Sequence, residues 1–77
     1  MVIANGLAAY GGSGDAAIDP DTTTEELVLT NKNTPINGQF MYIRTMFYNT
    51  KSATANRAQI ATPYRASGNM YHRFYFS

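Results

Sequence analysis

The side chains best suited to binding chemistry are arginines and tyrosines that alternate with apolar residues in the C-terminal half of the chain. Successive side chains of a β-strand point to opposite faces, so Arg73 shares a face with Tyr71 and Tyr75. Tyrosine offers an apolar ring with a hydroxyl, and arginine offers a planar fork of N–H donors. This combination suits sugars, carboxylates and protein interfaces. The predicted ligand-binding residues are Tyr42, Arg44, Arg57, Tyr71, Arg73 and Tyr75.

A purely structural interpretation competes with ligand binding at this predicted face, to which Tyr48 and Gln59 also belong. Tyrosine and arginine are common neighbours across antiparallel strands, where each pair contributes roughly 0.2–1 kcal/mol. Both interpretations place these side chains on the face opposite the predicted core.

Residue types that support catalysis or metal binding do not form a constellation in this sequence. His72 is the single histidine and falls on the predicted core face, where a hydrogen-bonded structural role is expected. The carboxylates lie in a loop-like segment without the oxygen spacing of a calcium loop. The run from Gly11 to Gly14 lacks the Lys-Ser/Thr of a phosphate loop. We therefore expect no catalytic residue, no metal, no cofactor and no enzymatic activity in this chain.

Charge divides the chain of 77 residues into two unlike parts, although its net charge is only +1. Every acidic residue lies between Asp15 and Glu26, and every basic residue lies from Lys32 onward. The scattered basic residues do not predict nucleic-acid binding. No apolar run reaches the ~20 residues of a membrane-spanning helix, and no membrane insertion is expected. Because there is no cysteine, disulfides and Cys-ligated zinc are excluded.

The elements that must position these side chains follow the same division. Residues 1–35 are small and polar and read as an extended stalk or linker, with a weak strand signal within Met1–Tyr10. A turn is predicted at Asp19-Pro20-Asp21 and a strand at Glu26–Thr30. Residues 36–77 open with an Asn37-Gly38 turn and form the second segment, a β-meander.

Three strands with period-2 alternation make up the predicted meander: Gln39–Asn49, Asn56–Tyr64 and Met70–Ser77. Short polar connections join them, which favours antiparallel pairing. The predicted core faces are Met41, Ile43, Thr45 and Phe47 on the first strand, Ala58, Ile60, Thr62 and Tyr64 on the second, and Met70, His72, Phe74 and Phe76 on the third. The sequence thus predicts a mainly β fold.

Three motifs of the C-terminal half stand out: NGQFMYIRT at 37–45, NRAQIATPY at 56–64 and MYHRFYFS at 70–77. Through them, residues 34–77 resemble the small β modules of bacteriophage tail fibres and tailspikes, often described as pyocin-knob-like. Such modules usually continue into a Gly-x-Trp-x-x-Trp segment, whereas this chain contains no tryptophan. We therefore expect the chain to be a fragment of a longer polypeptide, with a distant relative of these modules as the alternative.

The resemblance implies an intertwined homotrimer located in a virion tail, outside the host cell. Its expected role is structural and receptor-facing, with acidic polysaccharide of the bacterial surface as the ligand of the arginine–tyrosine face. A parent tailspike could carry a glycan-degrading domain elsewhere. The alternative is a small β-rich adaptor that binds another protein and has no viral role. Stoichiometry in solution separates the two, because a fibre module requires three copies.

Overall fold

The fold is all-β and is built on one sheet. A computed structural model describes residues 9–11, 18–65 and 68–76. Five strands follow one another in the sheet in chain order. They are β1 (Tyr10–Gly11), β2 (Leu27–Thr30), β3 (Met41–Phe47), β4 (Arg57–Pro63) and β5 (Tyr71–Tyr75). β2 to β5 pair antiparallel and β1 pairs parallel to β2. The predicted antiparallel meander is confirmed, and within the described ranges there is no helix, hence none that could cross a membrane.

β2 joins the meander, so the predicted segment boundary at residue 35 falls between two paired strands of one sheet. The connection from β2 to β3 contains the turn predicted at Asn37-Gly38, where the N–H of Gln39 donates to the carbonyl of Ile36 over 3.1 Å. Gly38 has a φ of 78°, which a residue without Cβ adopts at little cost. This turn reverses the chain and lets β2 pair with β3.

One face of the sheet, here called the inner face, carries the apolar core. Val28 and Ile43 pair across β2 and β3, and Ala61 pairs with Ile43 from β4. These side chains and Met41 are buried, with Ile18 and Tyr71 packed against them. The predicted inward face of β3 is thereby confirmed for Met41, Ile43 and Thr45, which are all buried.

The predicted core faces of β4 and β5 are wrong. Phe47 pairs with Arg57, and Arg57 pairs with Tyr75, so odd-numbered residues share the inner face in β3, β4 and β5. A shift of one residue in register moves every side chain of a strand to the other face. The even-numbered residues lie on the opposite, outer face. The residues wrongly assigned to the core are Ala58, Ile60 and Thr62 of β4, His72 and Phe74 of β5, and Tyr64, Met70 and Phe76 just outside these strands. Met70 and Phe76 are exposed.

The outer face therefore exposes large apolar side chains. Met46, Ala58 and Phe74 form a row across β3, β4 and β5. Phe74 is 71% exposed, and Phe76 just beyond β5 is 88% exposed. His72 is exposed on this outer face, where its ring lies 6.1 Å from that of Phe74. It is therefore not the core residue that was predicted.

The inner face is covered by a short stretch of chain that we call the strap, Ile18–Thr23. Pro20 and Thr23 of the strap are buried, as are Thr30, Thr45, Arg57 and Gln59 on the strands. The inner face thus has an apolar end around Ile43 and a polar end where the strap crosses β4 and β5.

Candidate functional site

The strap keeps its shape through the turn that was predicted at Asp19-Pro20-Asp21. The carboxylate of Asp19 accepts a 2.9 Å hydrogen bond from the N–H of Asp21, which is an Asx turn. The carbonyl of Asp19 accepts from the N–H groups of Thr22 and Thr23 at 3.1 and 3.0 Å. The Nδ2 of Asn33 also donates to Asp19 over 3.0 Å. The predicted turn is confirmed.

Backbone carbonyls fasten the strap to the sheet. The hydroxyl of Thr30 donates to the carbonyl of Ile18 over 2.6 Å. The Nε2 of Gln59 donates to the carbonyl of Pro20 over 2.6 Å, and it also lies 3.1 Å from the hydroxyl of Thr45. The strap crosses the inner face and buries the side chains of Thr30 and Gln59. These side chains donate to strap carbonyls, so the buried polar groups of the sheet and of the strap are both hydrogen-bonded.

Two arginines of the inner face meet the strap at Asp21. Arg57 Nη2 donates to the carbonyl of Asp21 over 2.8 Å. Arg73 Nη2 donates to Asp21 Oδ1 over 2.6 Å, and the hydroxyl of Tyr75 donates to the same oxygen over 3.0 Å. Arg73 Nε is fixed by a 2.7 Å hydrogen bond to Oε1 of Gln59. At Asp21 the structure therefore joins the acidic part of the chain to the basic part.

The aromatic ring of Tyr75 contacts both guanidinium groups. The guanidinium of Arg57 is 3.9 Å from the ring centre, and that of Arg73 is 4.9 Å away. Burial of the hydroxyl and its hydrogen bond to Asp21 raise the pKa of Tyr75 above its ordinary value, against the opposing charge of Arg73. Tyr75 therefore stays a neutral hydrogen-bond donor at physiological pH.

Arg57 and Arg73 bind different groups of the strap. Arg57 is only 6% exposed, and its other hydrogen bond goes to the carbonyl of Ala55 over 2.8 Å. Its Nε is buried and has no hydrogen-bond partner among the described residues. The ion pairs found in the described part of the chain are Asp21–Arg73 and Glu26–Lys51. Arg73 therefore pairs with the carboxylate of Asp21, whereas Arg57 binds its backbone carbonyl.

A recess of about 270 Å³ opens beside Arg73 on the inner face. Its volume is near the lower end of ligand pockets, roughly 300–1,000 Å³. Its walls include Asn33, Pro35, Ile43, Gln59, Tyr71 and Arg73. A second hollow of about 380 Å³ is lined by Asp21, Tyr75 and residues 53–57. Arg73 thus lines one hollow, and its partner Asp21 lines the other.

The structure brings together four of the six predicted ligand-binding residues and separates the other two from them. Arg57, Arg73 and Tyr75 converge on Asp21, and Tyr71 lines the adjoining recess. Tyr42 and Arg44 are on the β3 positions that alternate with the inner face. There the ring of Tyr42 lies 5.7 Å from that of Tyr64.

Asp21 and Asn33 are site residues that sequence reasoning missed. Asn33 donates to both Asp19 and Asp21 and has a φ of 51°, a conformation that asparagine adopts more readily than most residues. The sequence does show that the strap is acidic and that the strands carry arginines. This difference in charge predicts that the two attract each other, but it does not predict which carboxylate binds which guanidinium.

No group of three or more His, Cys, Asp or Glu side chains that could hold a metal ion occurs in the parts of the chain the structure describes. Comparisons with protein-family models, with curated proteins and with solved structures find no match to this chain.

Proposed function

We propose that the chain is a noncatalytic, structural and receptor-facing module of a bacteriophage tail fibre or tailspike, which binds acidic polysaccharide on the bacterial surface. The observation that carries the binding proposal is the half-exposed guanidinium of Arg73 at the wall of an open recess. Charge-assisted hydrogen bonds from arginine suit a sugar carboxylate, and a tyrosine ring suits the face of a pyranose.

In this proposal three copies associate in an extracellular virion tail. The exposed outer row of Met46 and Phe74, with Phe76 beside it, supports association because contiguous exposed apolar surface commonly marks an interface. The small apolar core supports it too, since chains of this size often need oligomerisation for stability.

Polysaccharide binding is tested on an array of anionic and neutral bacterial glycans. We expect the wild-type protein to retain anionic glycans and to lose them as salt rises, because exposed charges are screened over about 8 Å at physiological ionic strength. Arg73→Gln should abolish retention, whereas Lys32→Gln, outside the recess, should preserve it. Wild-type protein that retains no glycan at low salt contradicts the binding proposal.

Arg57 is not a suitable target for that array. Arg57 belongs to the predicted ligand-binding residues, but it is buried and donates to the carbonyl of Asp21 in the strap. Its loss removes the donor to the carbonyls of Asp21 and Ala55, which destabilises the fold. A variant that lacks both Arg57 and Arg73 would thus lose binding because its fold is destabilised.

Stoichiometry is tested by light scattering at micromolar concentration. The proposal expects a mass of three chains, while a folded monomer contradicts it. The alternative function, a protein-binding adaptor without a viral role, is favoured by the same exposed outer row if the chain is monomeric. In that case the row would be covered by a different protein.

A further inference from the structure

We propose that Asp21 is an internal ligand of a carboxylate-binding site formed by Arg73 and Tyr75, and that an acidic sugar binds by displacing the Asp21 carboxylate. This inference rests on the proposed polysaccharide binding and names the atoms that perform it. The donors are already arranged around a carboxylate, with Arg73 Nη2 at 2.6 Å and the Tyr75 hydroxyl at 3.0 Å from one oxygen.

The carboxylate of Asp21 is accessible to a competitor. Its side chain is 39% exposed, and that of Arg73 is 44% exposed. Exchange of a surface carboxylate for another carboxylate keeps the same kind of charge-assisted hydrogen bond, so little interaction is lost at the arginine. The competing groups therefore differ mainly in the further contacts that each ligand brings.

Displacement of this carboxylate does not release the strap. The strap is held through the carbonyls of Ile18, Pro20 and Asp21, which accept from Thr30, Gln59 and Arg57. None of these bonds uses the Asp21 side chain. A side-chain rotation at Asp21 is thus sufficient to open the site while the backbone stays in place.

Space and charge both favour the incoming ligand. A sugar whose carboxylate binds Arg73 can place its ring in the adjoining recess of about 270 Å³, where Tyr71 is one wall. Arg57 forms no ion pair within the described part of the chain, and its guanidinium lies with that of Arg73 at the ring of Tyr75. An anionic ligand is attracted by these two guanidinium groups, and a neutral sugar is not.

Internal competition lowers the apparent affinity of the wild-type protein. When the binding-competent state is only a fraction of the population, the observed dissociation constant rises by the inverse of that fraction. Asp21→Asn keeps the size of the side chain and removes its charge. We therefore expect this variant to bind a carboxylated sugar about tenfold or more tightly than wild type.

The experiment titrates purified wild-type protein and variants with D-glucuronate by heteronuclear NMR at low salt, with D-glucose as the neutral probe. Glu25→Gln is the matched control, because it removes the same charge from an exposed residue of the same acidic segment. Asp21→Asn should gain affinity for glucuronate alone, Glu25→Gln should match wild type, and Asp21→Asn combined with Arg73→Gln should lose the gain.

An equal gain in Asp21→Asn and Glu25→Gln, or no gain in either, overturns the inference, since the effect would then be general or absent. A gain for glucose as well as glucuronate also overturns it. Thermal unfolding checks that the variants are folded. Asp21→Ser, which also removes the carboxylate, provides the same comparison if Asp21→Asn does not fold.

This outcome is separable from that of the proposed function. A gain in Asp21→Asn together with a wild-type protein that retains no polysaccharide supports the carboxylate site and contradicts the proposed function. Retention of polysaccharide by wild type without a gain in Asp21→Asn supports the function and overturns the inference.

Discussion

Gln59 shows at the level of one side chain how polar residues are accommodated in the inner face. It is 3% exposed, and its amide satisfies a strap carbonyl, a β3 hydroxyl and the Nε of Arg73. A glutamine has the two donors and the acceptor that these partners require. Gln59 therefore connects the strap to the arginine that binds Asp21.

Gln59→Met should destabilise the fold because it keeps the volume but removes these hydrogen bonds. Each buried polar group left unpaired costs roughly 1–3 kcal/mol. Ile60→Met on the same strand, facing outward, should cost less than about 1.5 kcal/mol. Urea unfolding of both variants makes the comparison, and equal losses would show that the amide network contributes nothing specific.

Asp19 makes the strap sensitive to acid. Burial favours its neutral form, but hydrogen bonds from Asn33 and from the N–H of Asp21, with the charges of Lys32 and Arg73, hold its pKa below the ordinary value. A lowered folded-state pKa stabilises the fold above the unfolded pKa of about 3.9, and this contribution is lost as pH falls through the folded value.

We expect Asp19→Asn to melt at a lower temperature than wild type near neutral pH and to approach it as the solution is acidified below about pH 4. Thermal melts followed by circular dichroism across this range test the expectation. Glu25→Gln serves as the control, since Glu25 is exposed. A difference between Asp19→Asn and wild type that is independent of pH would contradict it.

At the scale of elements, the turns determine which strands pair. The turn at Gly38 joins β2 to β3, and its φ of 78° is in the left-handed region. Among the described residues no atom lies within 4 Å of the position of a Cβ there, so strain and not a clash opposes substitution. Gly38→Ala should therefore cost about 1–2 kcal/mol, whereas Asn37→Ala should cost less. Chemical denaturation of the two variants measures the difference, and equal costs would argue against backbone strain.

The strands and turns could be predicted from the sequence, but the faces of β4 and β5 could not. Alternation and turn residues indicated β2, β3, β4 and β5 close to their observed bounds. In β4 neither set of alternating residues is clearly apolar, because Arg57, Gln59 and Ala61 oppose Ala58, Ile60 and Thr62. The choice depends on the strap, whose carbonyls pair with Arg57 and Gln59.

The candidate site was predictable only in part for the same reason. Arg57, Arg73 and Tyr75 were chosen correctly as neighbours because they follow the period-2 rule on adjacent strands. Their contact with Asp21 spans 36 to 54 residues of sequence. Local patterns contain no information on such a distant pairing.

At the scale of the whole molecule, the core and the exposed apolar row lie on opposite faces of the sheet. Ile43 is 3% exposed in the core, while Phe74 is 71% exposed on the outer face. Ile43→Ala should cost roughly 2–5 kcal/mol as a buried truncation. Phe74→Glu should leave the described fold intact and should reduce the mass measured by light scattering, because a charge would be buried between copies.

The paired readout distinguishes these roles. Thermal unfolding should respond to Ile43→Ala at every protein concentration. The effect of Phe74→Glu should appear as a loss of the concentration dependence of the melting temperature. Unchanged mass in Phe74→Glu would contradict the use of the outer row in association.

The attachment of the strap to β5 also bears on the order of folding. Arg73 and Asp21 are separated by 52 residues, and closing so long a loop is entropically costly before other contacts have formed. β3, β4 and β5 are joined by short connections and can pair first. During synthesis the strap leaves the ribosome well before Arg73 and Tyr75, so its contacts with β5 cannot form until the last strand has been made. We infer that docking of the strap on β5 is a late step, before which Arg57 and Arg73 are briefly open to solvent.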